Sequence, residues 1–204
     1  MIGTHNTFTY LEATNSLYNV FNAFWRCQEI SVREQYNMGV RLFDIRVSEV
    51  FENGKKWWQV GHGIAKVKQK FVNLENICIY FKSQYPGSMI RLMLEDKSDE
   101  EAILNRFKKE ADTVIKKYKD MIWTIYIKRP WTLLFEGKHF DVKEYCCYLF
   151  NWNVDASISQ NIKNFSLQAS SIKKWAKNHN PQITQEMIDD KDTLYFMDYV
   201  NLHK

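Results

Sequence analysis

Few residues here break or staple the chain: 204 residues contain only three prolines, seven glycines and four cysteines. There is no Gly/Ser/Pro-rich linker, internal repeat or low-complexity tract, so residues 1–204 read as a single domain. No apolar run approaches the roughly 18 residues of a helical membrane span. Lys plus Arg number 28 against 24 Asp plus Glu, a formal charge of +4, and there is no Lys/Arg block. Nucleic acid is therefore not expected as a partner. The cysteines stand at 27, 78, 146 and 147, with no Cys-x-x-Cys zinc spacing and an adjacent pair unlike a disulfide framework. They read as buried free thiols of a reducing compartment. The opening Met1-Ile2-Gly3-Thr4-His5 lacks the basic and apolar regions of a signal peptide, which leaves cytoplasm and secretion both open.

What is present is the balance of an ordinary globular protein, 45% hydrophobic and 25% charged. A very short first strand ends near His5, and Cys27–Met38 reads as a helix stopped by Gly39. Val40–Val47 and Trp57–Gly61 read as strands around a turn at Asn53-Gly54, followed by a helix over Phe71–Gln84 that ends at Pro86-Gly87. Met89–Glu95 is the next strand. Ser98-x-x-Glu101 then forms a capping box ahead of a helix to about Tyr118. Ile122–Ile127, Thr132–Phe135, Tyr148–Trp152 and Thr193–Val200 complete about eight strands, with a helix over Ser170–Asn178. Strands alternating with helices give an α/β class, a small, distorted (β/α) TIM-like barrel, with a doubly wound sheet as the alternative.

Strand periodicity points to a site. Val40, Leu42, Asp44 and Arg46 share one face of their strand, which begins apolar and ends charged, and Leu194 and Phe196 share a face with Asp198. His5 closes the first strand, Glu95 closes MIRLMLE, and His62 follows WWQVG. Five strands thus end on an ionisable group, and in a parallel barrel those ends meet at the rim where active sites are built. Any one of them has an ordinary explanation: a solvated strand end, or a structural pair such as Asp44–Arg46 or Arg46–Glu95. Coincidence across five strands is harder to accept. Two histidines suit paired acid–base work near neutral pH, an Asp fixes the tautomer of one, and an Arg fork matches phosphate oxygens. Together they describe phosphodiester cleavage better than acyl transfer. No Walker loop, nucleophile elbow or His-Glu-x-x-His motif competes.

The runs Gly3-Thr4-His5-Asn6-Thr7, Gly39-Val40-Arg41-Leu42-Phe43-Asp44-Ile45-Arg46 and His62-Gly63, in that order, resemble the catalytic X region of phosphatidylinositol-specific phospholipases C, the bacterial branch most closely. Tyr195–Val200 (YFMDYV) is similar to that branch's late strand. The resemblance is strong over residues 2–97, weak over 98–165 and moderate over 166–200. It implies a distorted barrel in which His5 is the general base at the inositol 2-hydroxyl and Asp198 orients it. His62 would be the general acid at the diacylglycerol oxygen. Arg46 would stabilise the phosphorane, with Asp44 holding it, and Asn6 and Glu95 would contact substrate. The implied product is inositol 1,2-cyclic phosphate.

This chain departs from that branch at Asn6, where bacterial relatives carry Asp and the calcium-dependent eukaryotic enzymes carry Asn. Asp44 and Glu95 also fall at calcium-ligand positions of the eukaryotic branch, yet Arg46 replaces a metal-binding Asp there. A guanidinium repels Ca²⁺, which needs several oxygen ligands, so no metal and no cofactor are expected. The expected partner is a phosphoinositide or related phosphodiester, met in transient contact with a membrane surface. Seven tryptophans suit an interface, with Trp57-Trp58 and Trp131 beside Lys128-Arg129 as candidates, although core packing or an ordinary surface position is the commoner role for each. Two alternatives stand: a glycerophosphodiester phosphodiesterase-like enzyme on a soluble substrate, and a non-catalytic inositol-phosphate-binding barrel. The first lacks its His-Arg-Gly opening and Glu-x-Asp pair here.

Overall fold

A computed structural model describes residues 1–95, 100–128, 132–146 and 172–202, apart from the side chain of Phe24. It is a mixed α/β structure built on one curled sheet of nine strands. In chain order these are β1 (Ile2–Thr4), β2 (Val40–Glu52), β3 (Lys55–His62), β4 (Ala65–Phe71), β5 (Met89–Leu94), β6 (Ile122–Ile127), β7 (Thr132–Glu136), β8 (Asp141–Tyr145) and β9 (Thr193–Met197). The helices are α1 (Ser16–Val20), α2 (Val32–Asn37), α3 (Leu74–Gln84), α4 (Glu101–Tyr118), α5 (Ile172–His179) and α6 (Gln185–Asp189). Along the sheet the order is β7-β6-β5-β2-β1-β9-β8, with β3 on the far half of β2 and β4 beside β3.

The pairs β6–β5, β5–β2, β2–β1, β1–β9 and β9–β8 are parallel, so their carboxyl ends share one edge. The expected all-parallel arrangement fails on either side of them. β2 overruns that edge to Glu52, turns at Asn53-Gly54 and returns antiparallel as β3, and β7 is antiparallel to β6. Both turn residues have positive φ, 51° and 74°, a backbone whose twist matches a two-residue hairpin.

Alternation sorts side chains onto two faces. Ile2, Phe43, Ile45, Val47, Leu92, Leu94, Ile125 and Met197 belong to the large core, which α3 covers with Leu74, Ile77 and Phe81 and α4 with Ile103, Phe107 and Val114. Leu42, Trp123, Cys146, Leu194 and Phe196 form a smaller cluster on the inner face. Val40, expected with Leu42, joins the large core instead. The β1–β2 register slips there, Ile2 facing Val40 but Gly3 facing Leu42, and the extra residue flips the alternation.

Other boundaries also moved. The helix expected over Cys27–Met38 is only Val32–Asn37, because Ser31 and Glu34 form a capping box that starts it there. The helix expected from Phe71 starts at Leu74, behind an Asn73 cap, and Phe71 ends β4. α4 starts at Glu101 with Glu100 in the capping position, without a side-chain capping bond. Ser98 and the strand expected at Tyr148–Trp152 lie outside the described residues. β9 ends at Met197, short of the expected Val200, and β4, β8 and α6 were not expected.

Candidate active site

Asp198 and Glu95 directly follow their strands, as His5 follows β1, while Asp44 and Arg46 lie within β2. His5 and Asp198 sit on neighbouring strands whose last residues, Thr4 and Met197, are paired. Each chain then leaves the sheet through a left-handed residue, Asn6 at φ 47° and Tyr199 at φ 45°. Such a backbone suits Asn but is costly for Tyr, a strain of the kind that gathers at functional sites. His62 ends β3, and Gly61 before it is required: a Cβ there would stand 2.5 Å from the Ala65 carbonyl oxygen. The antiparallel return of β3 therefore delivers His62 to the edge that the parallel strands reach directly. The expectation that His62 closes a parallel strand is corrected to that extent.

His5 is 2% exposed and its two nitrogens have opposite roles. Nδ1 lies 2.7 Å from Asp198 Oδ1, while Nε2 faces Arg46 Nη2 at 2.5 Å and Asn6 Nδ2 at 3.1 Å. A guanidinium and an amide nitrogen only donate, so Nε2 must accept and the proton must sit on Nδ1, donated to Asp198. Burial, reinforced by Arg46 and His62 against the opposing pull of Asp198, lowers the His5 pKa to about 3. At neutral pH the ring is neutral, with its lone pair on the inner side.

Arg46 is the hub. Its Nε donates to Asp44 Oδ2 at 2.9 Å, Nη1 to Glu95 Oε1 at 3.4 Å and Nη2 to His5. Asp44 Oδ2 also accepts the Asn6 backbone N–H at 3.1 Å, and Arg91 Nε stands 3.5 Å from Asp44 Oδ1. Burial would raise the Asp44 pKa, but Arg46 and Arg91 outweigh it and the net shift is downward. Glu95 behaves alike: burial opposes, but Arg46, His62 and Lys128 bring it to about 2. Lys128 Nζ is 2.5 Å from Glu95 Oε1.

The His62 ring lies edge-on to His5, centroids 5.8 Å apart. Its Nδ1–H donates to the Trp25 carbonyl at 2.6 Å, and among the described residues Nε2, the second ring nitrogen, has no hydrogen-bond partner. Its pKa is lowered, by burial first, with Glu95 pulling the other way. Buried acceptors without a protein donor also collect here: Asn6 Oδ1 and Glu95 Oε2.

No family model and no curated protein matches this chain. Solved structures do. The phosphatidylinositol-specific phospholipase C from Listeria monocytogenes superposes with a TM-score of 0.55 at 14% identity, over 98% of this chain and 87% of that one. An S. aureus phosphatidylinositol-specific phospholipase C, from work on modulating its membrane binding, gives 0.52 at 15% identity over 98% and 86%. A double mutant of the S. aureus enzyme gives 0.53 at 14% over 98% and 85%. The fold is that of the bacterial phosphatidylinositol-specific phospholipases C.

All seven residues singled out from sequence, His5, Asn6, Asp44, Arg46, His62, Glu95 and Asp198, therefore meet on one edge of a sheet with this fold. Sequence reasoning missed Lys128, though it follows IWTIYI as Glu95 follows MIRLML, so the strand-end rule would have found it. It also missed Cys27, whose Sγ lies 3.6 Å from His62 Nδ1. Of the tryptophans that were candidates for a membrane interface, Trp58 takes the alternative role of core packing. Trp58 is fully buried, its Nε1 donating to Glu110 at 2.7 Å and its ring edge-on to Phe107, and Trp57 is half-buried. Trp131 lies outside the described residues.

Proposed function

We propose that this protein is a phosphatidylinositol phospholipase C that cleaves its lipid by intramolecular attack of the inositol 2-hydroxyl on phosphorus. One observation carries the reading: a neutral His5 with Nδ1 tied to Asp198 and its lone pair turned inward, beside a second imidazole 5.8 Å away. His5 Nε2 takes the 2-hydroxyl proton, and Asp198 stabilises the imidazolium that forms. His62 Nε2 delivers a proton to the diacylglycerol oxygen as the P–O bond breaks. The anionic phosphodiester supplies the counter-charge that lets His62 carry that proton. Arg46 turns from His5 to the phosphoryl oxygens, which frees the base as the substrate arrives and stabilises the charge that develops. The inositol hydroxyls are donors for the orphaned Asn6 Oδ1 and Glu95 Oε2, and Lys128 flanks the same carboxylate.

A calcium ion does not suit these residues. Arg46 already donates to one oxygen each of Asp44 and Glu95, the carboxylates that would have to ligate it. The reaction is accordingly metal-independent in this proposal.

The lipid surface would meet the rim beside His62. Ile64 is 58% exposed next to it. α1 and the residue after it carry Leu17, Val20 and Phe21, all at least half exposed. That segment is tied to the His62 turn through Thr14 N–H on Lys66 O and His62 on the Trp25 carbonyl. Among the described residues no helix is long and apolar enough to cross a membrane. The test compares rates on phosphatidylinositol in detergent micelles, glycerophosphoinositol and glycerophosphocholine. The proposal expects activity on both inositol compounds, with the lipid preferred, and none on the choline compound. Preference for glycerophosphocholine would favour the soluble phosphodiesterase, and binding without turnover a non-catalytic barrel.

A further inference from the structure

Three strands lying side by side, β1, β9 and β8, each place a metal-binding side chain at the first residue beyond the strand: His5, Asp198 and Cys146. Met197 pairs with Thr4 on one side and Tyr145 on the other, so those three positions form one row across the sheet. The ladder runs on through them, His5 N–H donating to Met197 O at 3.0 Å and Asp198 N–H to Tyr145 O at 3.1 Å. One ring nitrogen of His5, one carboxylate oxygen of Asp198 and the Cys146 sulfur lie within 4.8 Å of one another, and all three residues are buried. The cleavage reaction uses His5 and Asp198 but gives Cys146 nothing to do.

We propose that this row is an inhibitory site for a thiophilic divalent cation of the zinc type. Nitrogen, oxygen and sulfur at about 2.0–2.3 Å are the donors zinc takes, which sets them roughly 3.3–3.8 Å apart around a tetrahedral ion. His5 Nδ1 and Asp198 Oδ1, 2.7 Å apart here, therefore part slightly to admit the ion, while the sulfur, within 4.8 Å of the other two ligand atoms, has little distance to cover. Ca²⁺ would refuse a site with a sulfur and a nitrogen. No Cys-x-x-Cys spacing is needed, since the sheet register, not sequence proximity, assembles residues 5, 146 and 198.

Charges and protons balance. The ion displaces the Cys146 thiol proton to solvent, and one thiolate and one carboxylate neutralise its two charges. His5 binds through Nδ1, the nitrogen on the Asp198 side, and its proton moves to Nε2, so the ring stays neutral; Arg46 turns away and the Asn6 amide rotates so that its unpartnered Oδ1 accepts the Nε2 proton. Nε2 then has no lone pair to offer a hydroxyl, and Asp198 no longer orients it. Occupancy thus removes the general base by inverting its tautomer. The site itself assumes nothing about substrate; that filling it inhibits rests on the proposed cleavage reaction.

The probe is Co²⁺, which reports thiolate ligation by a sulfur-to-metal charge-transfer band. The intact protein is equilibrated with the ion, and separately refolded in its presence so that slow entry cannot hide binding. One Co²⁺ per chain with that band is expected, lost in Cys146→Ser and Cys146→Ala and kept in Cys78→Ser, whose thiol is buried on α3. Zn²⁺ affinity, by competition, falls more than ~100-fold in the Cys146 variants, beyond the change typical of residues behind the ligands. No band in the wild type, or a band surviving in both Cys146 variants, overturns the site. In the activity arm, Zn²⁺ should inhibit the wild type and spare Cys146→Ser; equal inhibition of both overturns the inhibitory role. A protein inactive on every substrate would sink the cleavage reading while the absorption band still decides the site.

Discussion

Replacing Arg46 by lysine keeps the charge and removes the fork. In the wild type three nitrogens face three different partners, Nε to Asp44 at 2.9 Å, Nη1 to Glu95 at 3.4 Å and Nη2 to His5 at 2.5 Å. A single ammonium cannot stand at all three places. It will settle between the carboxylates, because both are ionised and buried, and abandon His5. Each hydrogen bond to a charged group contributes about 1.5–3 kcal/mol, so losing the one to His5 costs at most about that much, less whatever water recovers. The catalytic loss is separate: one preorganised donor to developing charge is worth about 10²–10³ in kcat. Arg46→Lys should therefore fold, unfold at lower urea and lose about 10²–10³ in kcat with a smaller change in KM. Arg46→Ala leaves Asp44 and Glu95 uncompensated and should cost about 3–5 kcal/mol in stability. The assays are initial rates on phosphatidylinositol micelles and urea unfolding. A lysine variant within tenfold of wild-type kcat would refute the fork's role in the reaction.

Asp198→Asn should remove the tautomer control of His5 and lower kcat by ~10³ or more while circular dichroism stays native, the order known for the equivalent change in a Ser-His-Asp triad. Acid should destabilise the protein early. His5 titrates near 6.5 unfolded but about 3 folded, so the folded state binds fewer protons between those values. Its contribution is complete above about pH 6.5 and lost as pH falls, near 1.4 kcal/mol per unit, or about 2 kcal/mol by pH 5. His62 shifts in the same direction, whereas Asp44 and Glu95, lowered from the carboxylate values 3.8 and 4.5, act below the pH 5 to 7 range. Urea unfolding at pH 7 and pH 5 measures this, and a His5→Gln variant should flatten the difference; an unchanged difference contradicts it. Val20→Glu and Phe21→Glu should weaken binding to phosphatidylinositol vesicles in a sedimentation assay and leave the rate on glycerophosphoinositol unchanged.

The strands that carry the site were legible because alternation is a physical constraint. Asp44 and Arg46 had to follow Leu42 onto one face, and Asp198 had to follow Leu194 and Phe196. What alternation could not reveal was direction. Nothing in WWQVGH says that β3 runs antiparallel to β2, so His62 was found at the end of its strand but assigned to the wrong direction. β4 went unseen although Ala65, Val67 and Phe71 are buried between lysines 66, 68 and 70, a period of two hidden by its basic composition. β8, DVKEY, exposes four of its five residues. It therefore has no apolar signature, and Cys146 at its end could not be placed beside Asp198. Tryptophan composition could not tell an interface from a core, and Trp58 is spent on the packing of α4.

The central claim is a metal-independent attack by the substrate's own hydroxyl, with His5 as base. Phosphorus NMR of phosphatidylinositol micelles with the purified protein in EDTA tests it most directly, run beside His5→Ala. The account predicts a five-membered cyclic phosphodiester signal in the chelator, absent from the His5→Ala sample. A signal that appears only on adding Ca²⁺, or a cyclic product that still forms at the wild-type rate without His5, would contradict it.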